Sequence, residues 1–571
     1  MFPRDSNNFG HFVVEGKTKA TATVRTSLVD MQSAEVIESF SQHIDSGKTF
    51  LFNHKVPAGL HEFNLEVYIS DPDFTELKVE VIPHLVAGDF YIVAGQSNAV
   101  CGWSKGGREH DSLHYSPFNR ALGGNFTWAT EWYPDFSRTN YPIDEDCRFG
   151  LPWSYLTADL FNTYSGIWPI QLQYELLKQT GIPVCIVNGS CPGISIAENY
   201  ASHTPSKPDS LRHSAGPKNN PPALPYDRVY KKLLENDAIA GVKGIFWYQG
   251  ETDGTYSLDS SRNYDTRFHK LYSSWKADYP NLKKIFVMQL NAGCGGENLG
   301  LIREIQRKFP EVYKDVVVMS TVGNPLSDRS PDNCHYSVPG YAHLADKLLP
   351  LVKKHIYNFP ISDEQMMPAN IKKAYYSSAK QICIEFDKNI IAQQYCYYSL
   401  PDSGTAYLKD YFFAPQKRPI ALVSVSAKAN KLFLNLADKE PALEKITYLP
   451  DVFSKLPSLY AGPWILTESN PDLGAYSFFE FPVEQMLNTE VPEQTEEVVV
   501  APNPSKDAFD ITFKEAKWRT ISVYDLYGKQ VFTAETTSAK VRVDATNLCG
   551  GIYLLRMDDE SSHTVTKIVL E

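Results

Sequence analysis

The sequence of 571 residues lacks any apolar run approaching the ~20 residues that a membrane-spanning helix needs. This absence excludes an integral membrane segment. Positive charge is also scarce, because 55 Lys and Arg stand against 67 Asp and Glu, for a formal net charge of −12. A nucleic-acid-binding protein needs a basic surface that neutralises phosphates, and the basic residues here are scattered. The composition therefore excludes nucleic acid as a partner.

Cysteine is sparse, with nine residues and no CxxC pair, so no zinc site is expected. An odd number leaves at least one thiol free, and one or two disulfides remain compatible with the sequence. The first residues, Met1–Gly10, contain no charged head followed by an apolar core. We therefore expect no signal peptide in this sequence, which fits either a cytosolic protein or one whose leader has been removed.

Four segments differ in their hydrophobic pattern. Short β-prone runs between turn residues predict a β-sandwich over residues 1–87. Over residues 88–360, continuous apolar runs alternate with amphipathic stretches, a pattern typical of a three-layer α/β/α domain with a parallel sheet. Residues 361–492 return to strands and end in an acidic linker, and residues 493–571 are again rich in β-prone runs. The sequence thus predicts a multidomain α/β plus β protein in which β-sandwich domains flank the central α/β domain.

The apolar runs of the central segment are predicted to be buried parallel strands: Phe90–Gly95, Val184–Gly189, Gly244–Gly250, Ile285–Leu290 and Val316–Ser320. Polar, glycine-rich loops follow several of these runs. Open α/β sheets carry their reactive groups in such loops, at the carboxyl ends of the strands. We therefore expect these loops to converge on one crevice.

The loops after the first and last strands contain the side chains of a serine hydrolase. A serine hydroxyl is a weak nucleophile and needs a neighbouring base that a carboxylate orients. Ser97 supplies the hydroxyl, His335 the imidazole, and Asp332, three residues earlier, a carboxylate that can reach the outer imidazole nitrogen. His343 is a rival base, but no Asp precedes it closely. We predict Ser97, His335 and Asp332 as the catalytic residues.

An acyl-transfer reaction also needs hydrogen-bond donors that already point at the developing oxyanion. We expect these donors to be the backbone N–H of Ser97, that of Gly193 or Gly189, and the side-chain amide of Gln249. The aromatic face of Trp103 can stack on a sugar ring or can anchor the long loop that contains it. The candidates for substrate contact are Gln96, Asn98, Glu251 and Trp103.

Other polar residues of these motifs have simpler interpretations. Glu251 and Asp253 could form the paired carboxylates of a glycosidase, but two residues apart on a loop they fit better as acceptors of backbone N–H groups that support the crevice. Arg303 and Gln306, which share a predicted helix with Glu304, fit a solvated helix face.

Four stretches together resemble the SGNH-hydrolase superfamily, and within it the carbohydrate esterases of the sialate O-acetylesterase (SASA) type. The stretches are Ile92–Trp103, Ile245–Asp253, Leu301–Phe309 and Ser330–Leu348, and the resemblance covers roughly residues 88 to 357. It implies that Ser97 is the nucleophile, that Asp332 and His335 complete the triad, and that Gln249 lines the site.

The sequence departs from the family pattern in its glycine block. Here the block reads Ser190–Gly193, where the family usually has a sequence similar to SSWGG. Pro192 has no N–H to donate, which leaves Gly193 ahead of Gly189 as an oxyanion donor. The serine motif is also not the GxSxG elbow of α/β-hydrolases.

The end of the chain resembles the C-terminal sorting domain of the type IX (Por) secretion system over residues 499–571. Its marks are Pro502–Pro504, Tyr524–Leu526, Gly528 and Gly551–Tyr553. The resemblance implies the type IX machinery as a partner, export across the outer membrane of a Gram-negative bacterium, and a native leader that this sequence does not contain. The protein is then secreted or attached to the cell surface.

These observations together predict a secreted serine esterase that removes O-acetyl groups from a carbohydrate, through an acetyl-enzyme. The substrate would be an acetylated oligo- or polysaccharide, either sialate or plant polysaccharide esters. This chemistry needs no cofactor and no metal. Two alternatives stay open: a non-catalytic glycan-binding surface protein, and an SGNH lipase or thioesterase.

Overall fold

The computed structural model divides the chain into two compact units, Met1–Glu484 and Gln485–Glu571. The described residues are 1–71, 74–101, 116–123, 166–190, 193–200, 225–294, 296–324, 334–398, 404–438, 440–449, 451, 462–485, 498–525, 528–559 and 563–571. The predicted domain limits within the first unit, at residues 87 and 360, stay predictions.

A parallel sheet forms the centre of the first unit. Its strands lie in the spatial order Val316–Ser320, Lys284–Gln289, Val242–Tyr248, Ala87–Gly95, Val184–Asn188 and Arg120–Gly123, with the short strand Phe2–Pro3 pairing beside Ala87–Gly88. Nearly every residue of these strands is buried, as both faces of a covered parallel sheet require. The five apolar runs predicted as strands are all present, whereas the strand Arg120–Gly123 was not predicted.

The strand Ala87–Gly95 lies where the strand order reverses. The chain continues to Val184–Asn188 on one side of it and to Val242–Tyr248 on the other. Loops at the carboxyl ends of two such neighbouring strands diverge and leave a crevice between them. The residues directly after Gly95 therefore lie at the position where an open α/β sheet binds its ligands.

Helices connect these strands and pack on the sheet through one shared apolar core. The helix Ile167–Thr180 ends at Gly181, whose φ of 69° and whose N–H bond to the Leu177 carbonyl close its last turn. The α-helices are Ser97–Val100, Ile167–Thr180, Pro225–Glu235, Glu251–Tyr256, Leu258–Arg262, Tyr264–Asp278, Leu299–Val312, Val338–Tyr357 and Asp363–Met366. Short 3₁₀ turns occupy Ile196–Asn199, Ile239–Gly241, Leu408–Tyr411 and Pro415–Lys417.

The residues before the central sheet form two antiparallel sheets. The larger has the order Val36–Ile44, Ala22–Asp30, Phe63–Asp71 and Phe74–Leu85, and the smaller pairs Phe9–Lys17 with Thr49–Pro57. Small clusters of buried apolar side chains, including Leu28 and Val56, lie at their inner faces.

The described residues after the central sheet fold into four further antiparallel sheets around a second apolar core. Their strands are Ile371–Ser378, Gln381–Phe386, Ile390–Ala392, Tyr395–Tyr398, Gly404–Tyr407, Phe412–Ala414, Arg418–Pro419, Leu422–Lys428, Lys431–Leu436, Lys445–Tyr448, Ile465–Thr467, Asn470–Gly474 and Phe478–Pro482. This segment packs on the central domain through polar bonds, such as that from the Tyr476 hydroxyl to the Val318 carbonyl, at 2.6 Å.

The second unit contains two antiparallel sheets around its own apolar core. One has the order Val499–Ala501, Ala508–Thr512 and Lys540–Asp544, and the other Gln530–Thr536, Arg519–Tyr524, Gly551–Asp558 and His563–Leu570. The chain is thus a mixed α/β protein with one parallel sheet and many antiparallel sheets, which confirms the coarser part of the fold prediction. Among the described residues, no helix is both long and apolar enough to cross a membrane.

Candidate active site

Ser97 begins a short helix directly after the central strand of the sheet. The preceding Gly95 has a φ of 139°, and a side chain there would meet the Tyr248 carbonyl oxygen at 2.1 Å. Only glycine allows this close approach of the two backbones. Ser97 is the first residue of the helix Ser97–Val100, so its N–H has no partner within the helix. The nucleophile and one oxyanion donor predicted from the sequence therefore belong to the same residue at the crevice.

Asn98 holds this turn against three other parts of the chain. Its Nδ2 donates to Glu251 Oε1 at 2.8 Å and to the Cys334 carbonyl at 3.3 Å. Its Oδ1 accepts from the Tyr341 hydroxyl at 3.0 Å, and its own carbonyl accepts from Trp168 Nε1 at 3.2 Å. The side chain is almost fully buried, so its described contacts are internal to the protein.

The Gln96 side chain is equally internal. Its Oε1 accepts from the backbone N–H groups of Gly250 and Thr252, at 3.4 and 3.2 Å, and from Gln249 Nε2 at 3.2 Å. These bonds fasten the serine turn to the loop that follows the neighbouring strand Val242–Tyr248. The sequence predicts Gln96 and Asn98 as substrate contacts, and that role stays a prediction. The bonds that the structure shows for both side chains hold the serine turn in place.

Gln249 has every polar atom of its side chain engaged inside the protein. Besides Gln96, its Nε2 contacts Asp253 Oδ2 at 2.7 Å and the Ile194 carbonyl at 3.1 Å, and its Oε1 accepts from the Tyr264 hydroxyl at 3.1 Å. Donation to an oxyanion would require one of these bonds to break. Gln249, which directly follows the apolar strand, thus bonds to three loops through its side-chain amide. Its role as an oxyanion donor stays a prediction.

Asp253 is a fully buried carboxylate that supports the glycine block. It accepts from the Ile196 N–H at 2.8 Å and from Gln249 Nε2, and its other oxygen pairs with Arg267 at 3.2 Å. These contacts match the supporting role that the sequence favoured for this residue. Asp253 holds residues 194–196 against the loop after the strand Val242–Tyr248.

The two glycines considered as donors differ in their bonding. The Gly189 N–H donates to the Val93 carbonyl at 2.9 Å and therefore belongs to the sheet. Gly193 is exposed, with a φ of 70°. Because the Gly189 N–H is already engaged in the sheet, this difference favours Gly193 as the oxyanion donor, as the sequence argument did.

Glu251 is a buried carboxylate beside the predicted base. Its burial raises the pKa of the carboxyl above the ordinary Glu value, while the Asn98 bond and the nearby His335 act in the opposite direction. Its Oε2 is buried and has no hydrogen-bond partner among the described residues. Glu251 thus joins the Ser97 turn to the surroundings of His335, and its predicted substrate contact stays a prediction.

His335 lies between two anchored residues. Cys334 forms a disulfide with Cys294 and accepts the hydrogen bond from Asn98. On the other side, the Tyr336 hydroxyl accepts from Asn291 Nδ2 at 3.0 Å and from the Tyr248 hydroxyl at 3.3 Å. The sequence left disulfide pairing open and did not single out Asn291 or Tyr336.

Two predicted site residues, Asp332 and Trp103, lie outside the described residues. The rival base His343 is exposed on the helix Val338–Tyr357. Within the described part of the chain, no group of three or more His, Cys, Asp or Glu side chains could hold a metal.

The predicted solvated face of the helix Leu299–Val312 is wrong. Arg303 and Gln306 are both buried. Arg303 Nη2 donates to the Leu449 carbonyl at 3.0 Å, and Gln306 Nε2 donates to the Gln249 carbonyl at 3.0 Å. Strands from the last third of the first unit cover this helix, so its polar residues support the site from behind.

Two family models match the chain. Residues 172–353 match the carbohydrate esterase family of sialic acid-specific acetylesterases, and residues 499–571 match the secretion system C-terminal sorting domain. The resemblances to the SASA-type carbohydrate esterases and to the C-terminal sorting domain are therefore confirmed.

Solved structures similar to this chain include carbohydrate esterases. A carbohydrate acetylesterase from Xanthomonas citri is 18% identical, with a TM-score of 0.51, over 83% of this chain and 94% of its own. A protein from Arabidopsis thaliana is also 18% identical, with a TM-score of 0.31, over 48% of this chain and 99% of its own. The first likeness supports the fold alone. The comparison with curated proteins finds no match.

The family matches establish the general activity and destination of the chain. It carries a carbohydrate acetylesterase domain, and it is therefore an acetylesterase. Its sorting domain belongs to proteins that the type IX system secretes or leaves at the cell surface.

Proposed function

We propose that the chain is an SGNH-type serine esterase that hydrolyses O-acetyl esters of a carbohydrate through Ser97, His335 and Asp332. Ser97 Oγ attacks the acetyl carbonyl while His335 takes its proton, and Asp332 holds the imidazole in the required tautomer. The protonated His335 then returns the proton to the departing sugar hydroxyl. Water, activated by the same base, releases acetate from the acetyl-enzyme.

The oxyanion of each tetrahedral intermediate is stabilised by backbone N–H groups. Ser97 supplies one, because its N–H is the first of its helix, and the exposed Gly193 supplies the second. Gln249 acts by fixing the positions of the glycine block and the serine turn relative to each other, since its amide bonds to Gln96 and to the Ile194 carbonyl.

The observation that carries the proposal is the hydrogen bond from Asn98 to the Cys334 carbonyl. The donor follows Ser97 directly and the acceptor directly precedes His335, although 236 residues separate the two partners along the chain. This bond supports a common site for the nucleophile and the base at the carboxyl end of the sheet.

The substrate class follows from the family match and from the export signal. An exported esterase meets acetylated glycans outside the cell, and sialate or plant polysaccharide esters both fit the proposal. The antiparallel sheets on either side of the central domain are proposed to be β-sandwiches that brace it.

Release of p-nitrophenolate from p-nitrophenyl acetate and from p-nitrophenyl octanoate, by the wild type and by Ser97→Ala, tests the proposal. The matched control is Ser273→Ala, which removes an exposed hydroxyl that donates to the His269 carbonyl of its own helix. We expect the wild type and the control to prefer the acetyl ester over the octanoyl ester. We expect Ser97→Ala to lose about 10³-fold or more of kcat.

Two results would contradict the proposal. A wild type without hydrolysis would favour the non-catalytic glycan-binding protein. A preference for octanoate would favour the lipase. Acetate release from a panel of acetylated glycans then identifies the sugar.

A further inference from the structure

We propose that the Cys294–Cys334 disulfide is a positioning bond for His335, so that the enzyme reaches full turnover only in its oxidised form. This inference rests on the proposed function, because it assigns the disulfide to the base of that reaction. The disulfide joins the loop after the strand Lys284–Gln289 to the residue that immediately precedes His335.

His335 lies in a connecting segment of the chain. Residues 334–337 lie outside the helices and strands, between the strand that ends at Ser320 and the helix that begins at Val338. A cross-link lowers the conformational entropy of the unfolded chain, and this one joins residues 40 positions apart in the sequence. The disulfide therefore adds a covalent restraint to the hydrogen bonds that hold this segment.

The other end of the disulfide is fixed by its surroundings. Cys294 is buried, and its carbonyl accepts from the Gly296 N–H at 2.9 Å. The neighbouring Gly293 N–H donates to the Asp451 carbonyl at 3.3 Å. A covalent bond to this packed loop therefore restrains Cys334, and through one peptide unit it restrains the backbone of His335.

Two weaker bonds act together with the disulfide. The Cys334 carbonyl accepts from Asn98 at 3.3 Å, and the Tyr336 hydroxyl accepts from Asn291. A neutral hydrogen bond contributes only modestly to holding a group in place, whereas proton transfer needs the base to be placed accurately. The disulfide is the one covalent restraint among these three anchors.

The test compares the oxidised wild type with the same protein reduced by dithiothreitol and with Cys294→Ala/Cys334→Ala. Reduction breaks the S–S bond, adds two electrons and two protons to give two thiols, and converts the reagent into its cyclic disulfide. The matched controls are Cys396→Ala and Cys549→Ala, at partly or fully exposed cysteines outside this disulfide.

With p-nitrophenyl acetate, we expect kcat to fall about ten- to a hundredfold on reduction and in the double variant, because a small misplacement of a catalytic group has this effect. KM should stay within about twofold, since ground-state binding does not use His335. Reoxidation should restore the wild type but not the double variant, and the controls should match the wild type. Labelling of Ser97 by a fluorophosphonate should slow in parallel with kcat.

Two outcomes would overturn the inference while the proposed function stands: a double variant with wild-type kcat, or a loss of kcat that only follows loss of the near-ultraviolet circular dichroism signal. The second would make the disulfide a support of the fold alone. If the oxidised wild type releases no acetate, or if Ser97→Ala remains active, the proposed function fails first and the inference fails with it.

Discussion

Asn98 Nδ2 lies 3.3 Å from the carbonyl oxygen of Cys334, and this bond joins the segment of the proposed nucleophile to the segment of the proposed base. The same amide donates to Glu251, while its oxygen accepts from Tyr341. One buried side chain thus fixes the serine turn relative to two later parts of the chain. In this account Asn98 acts as a positioning residue.

Asn98→Ala should lower kcat for acetyl esters about ten- to a hundredfold, because it removes all three of these bonds. Tyr341→Phe is the matched variant, since it removes only the hydroxyl that donates to Asn98. Its loss should be about fivefold, the value of one neutral hydrogen bond of about 1 kcal/mol. Steady-state kinetics measure both, and equal losses in the two variants would argue against a joining role for the amide.

The location of Ser97 could be predicted because it depends on local signals. A continuous apolar run marks the buried strand, and a glycine followed by polar residues marks its carboxyl end. The disulfide could not be predicted, since the nine cysteines have no regular spacing and the partners Cys294 and Cys334 meet only through the fold.

The burial of Arg303 also could not be predicted from the sequence. Its helix alternates polar and apolar residues in the way a solvated helix does. Arg303 donates to the carbonyl of Leu449, which directly follows the strand Lys445–Tyr448 and lies 146 residues later in the sequence. Burial of this kind depends on tertiary contacts that no local pattern encodes. The strand Arg120–Gly123 was missed for a similar reason, because it is short and begins with a charged residue.

Asp253→Ala should destabilise the first unit by about 3 kcal/mol, because it leaves the partly exposed Arg267, the Gln249 amide and the Ile196 N–H without their common acceptor. Chemical denaturation followed by tryptophan fluorescence measures this loss. The matched control is Asp259→Ala, at an exposed position nearby on the chain, which should change stability by less than about 0.5 kcal/mol. A loss no larger than that of the control would contradict the supporting role.

Relative to the wild type, the Glu251→Gln variant should become more stable as pH rises through the range in which the wild-type carboxyl ionises. Burial raises the pKa of Glu251 in the folded state above its unfolded value. Between these two pKa values the folded state binds more protons than the unfolded state, so wild-type stability falls with rising pH. The Gln variant lacks this fall and can still accept the Asn98 bond.

Melting temperatures of the wild type and Glu251→Gln from pH 4 to pH 8 provide the measurement. The advantage of the variant should appear as pH rises past the unfolded carboxyl pKa and then become constant. An advantage that is the same at every pH would contradict the assigned cause.

Removal of residues 485–571 should leave acetate release unchanged within about twofold, because the chain divides at Glu484 and each unit has its own apolar core. The shortened protein should instead remain inside the cells that normally export it. Kinetics on the purified protein and immunodetection in cell and medium fractions measure the two effects. A shortened protein that loses activity, or that is exported normally, would contradict this division of roles.

The central claim is that Ser97 is the nucleophile and His335 its base. Fluorophosphonate labelling followed by peptide mass spectrometry tests it most directly, in the wild type and in His335→Ala. The account predicts one label per chain, on Ser97, with loss of acetate release in proportion to labelling, and labelling slower by about 10³-fold in His335→Ala. A label on another residue, or acetate release that persists after Ser97 is fully labelled, would contradict it.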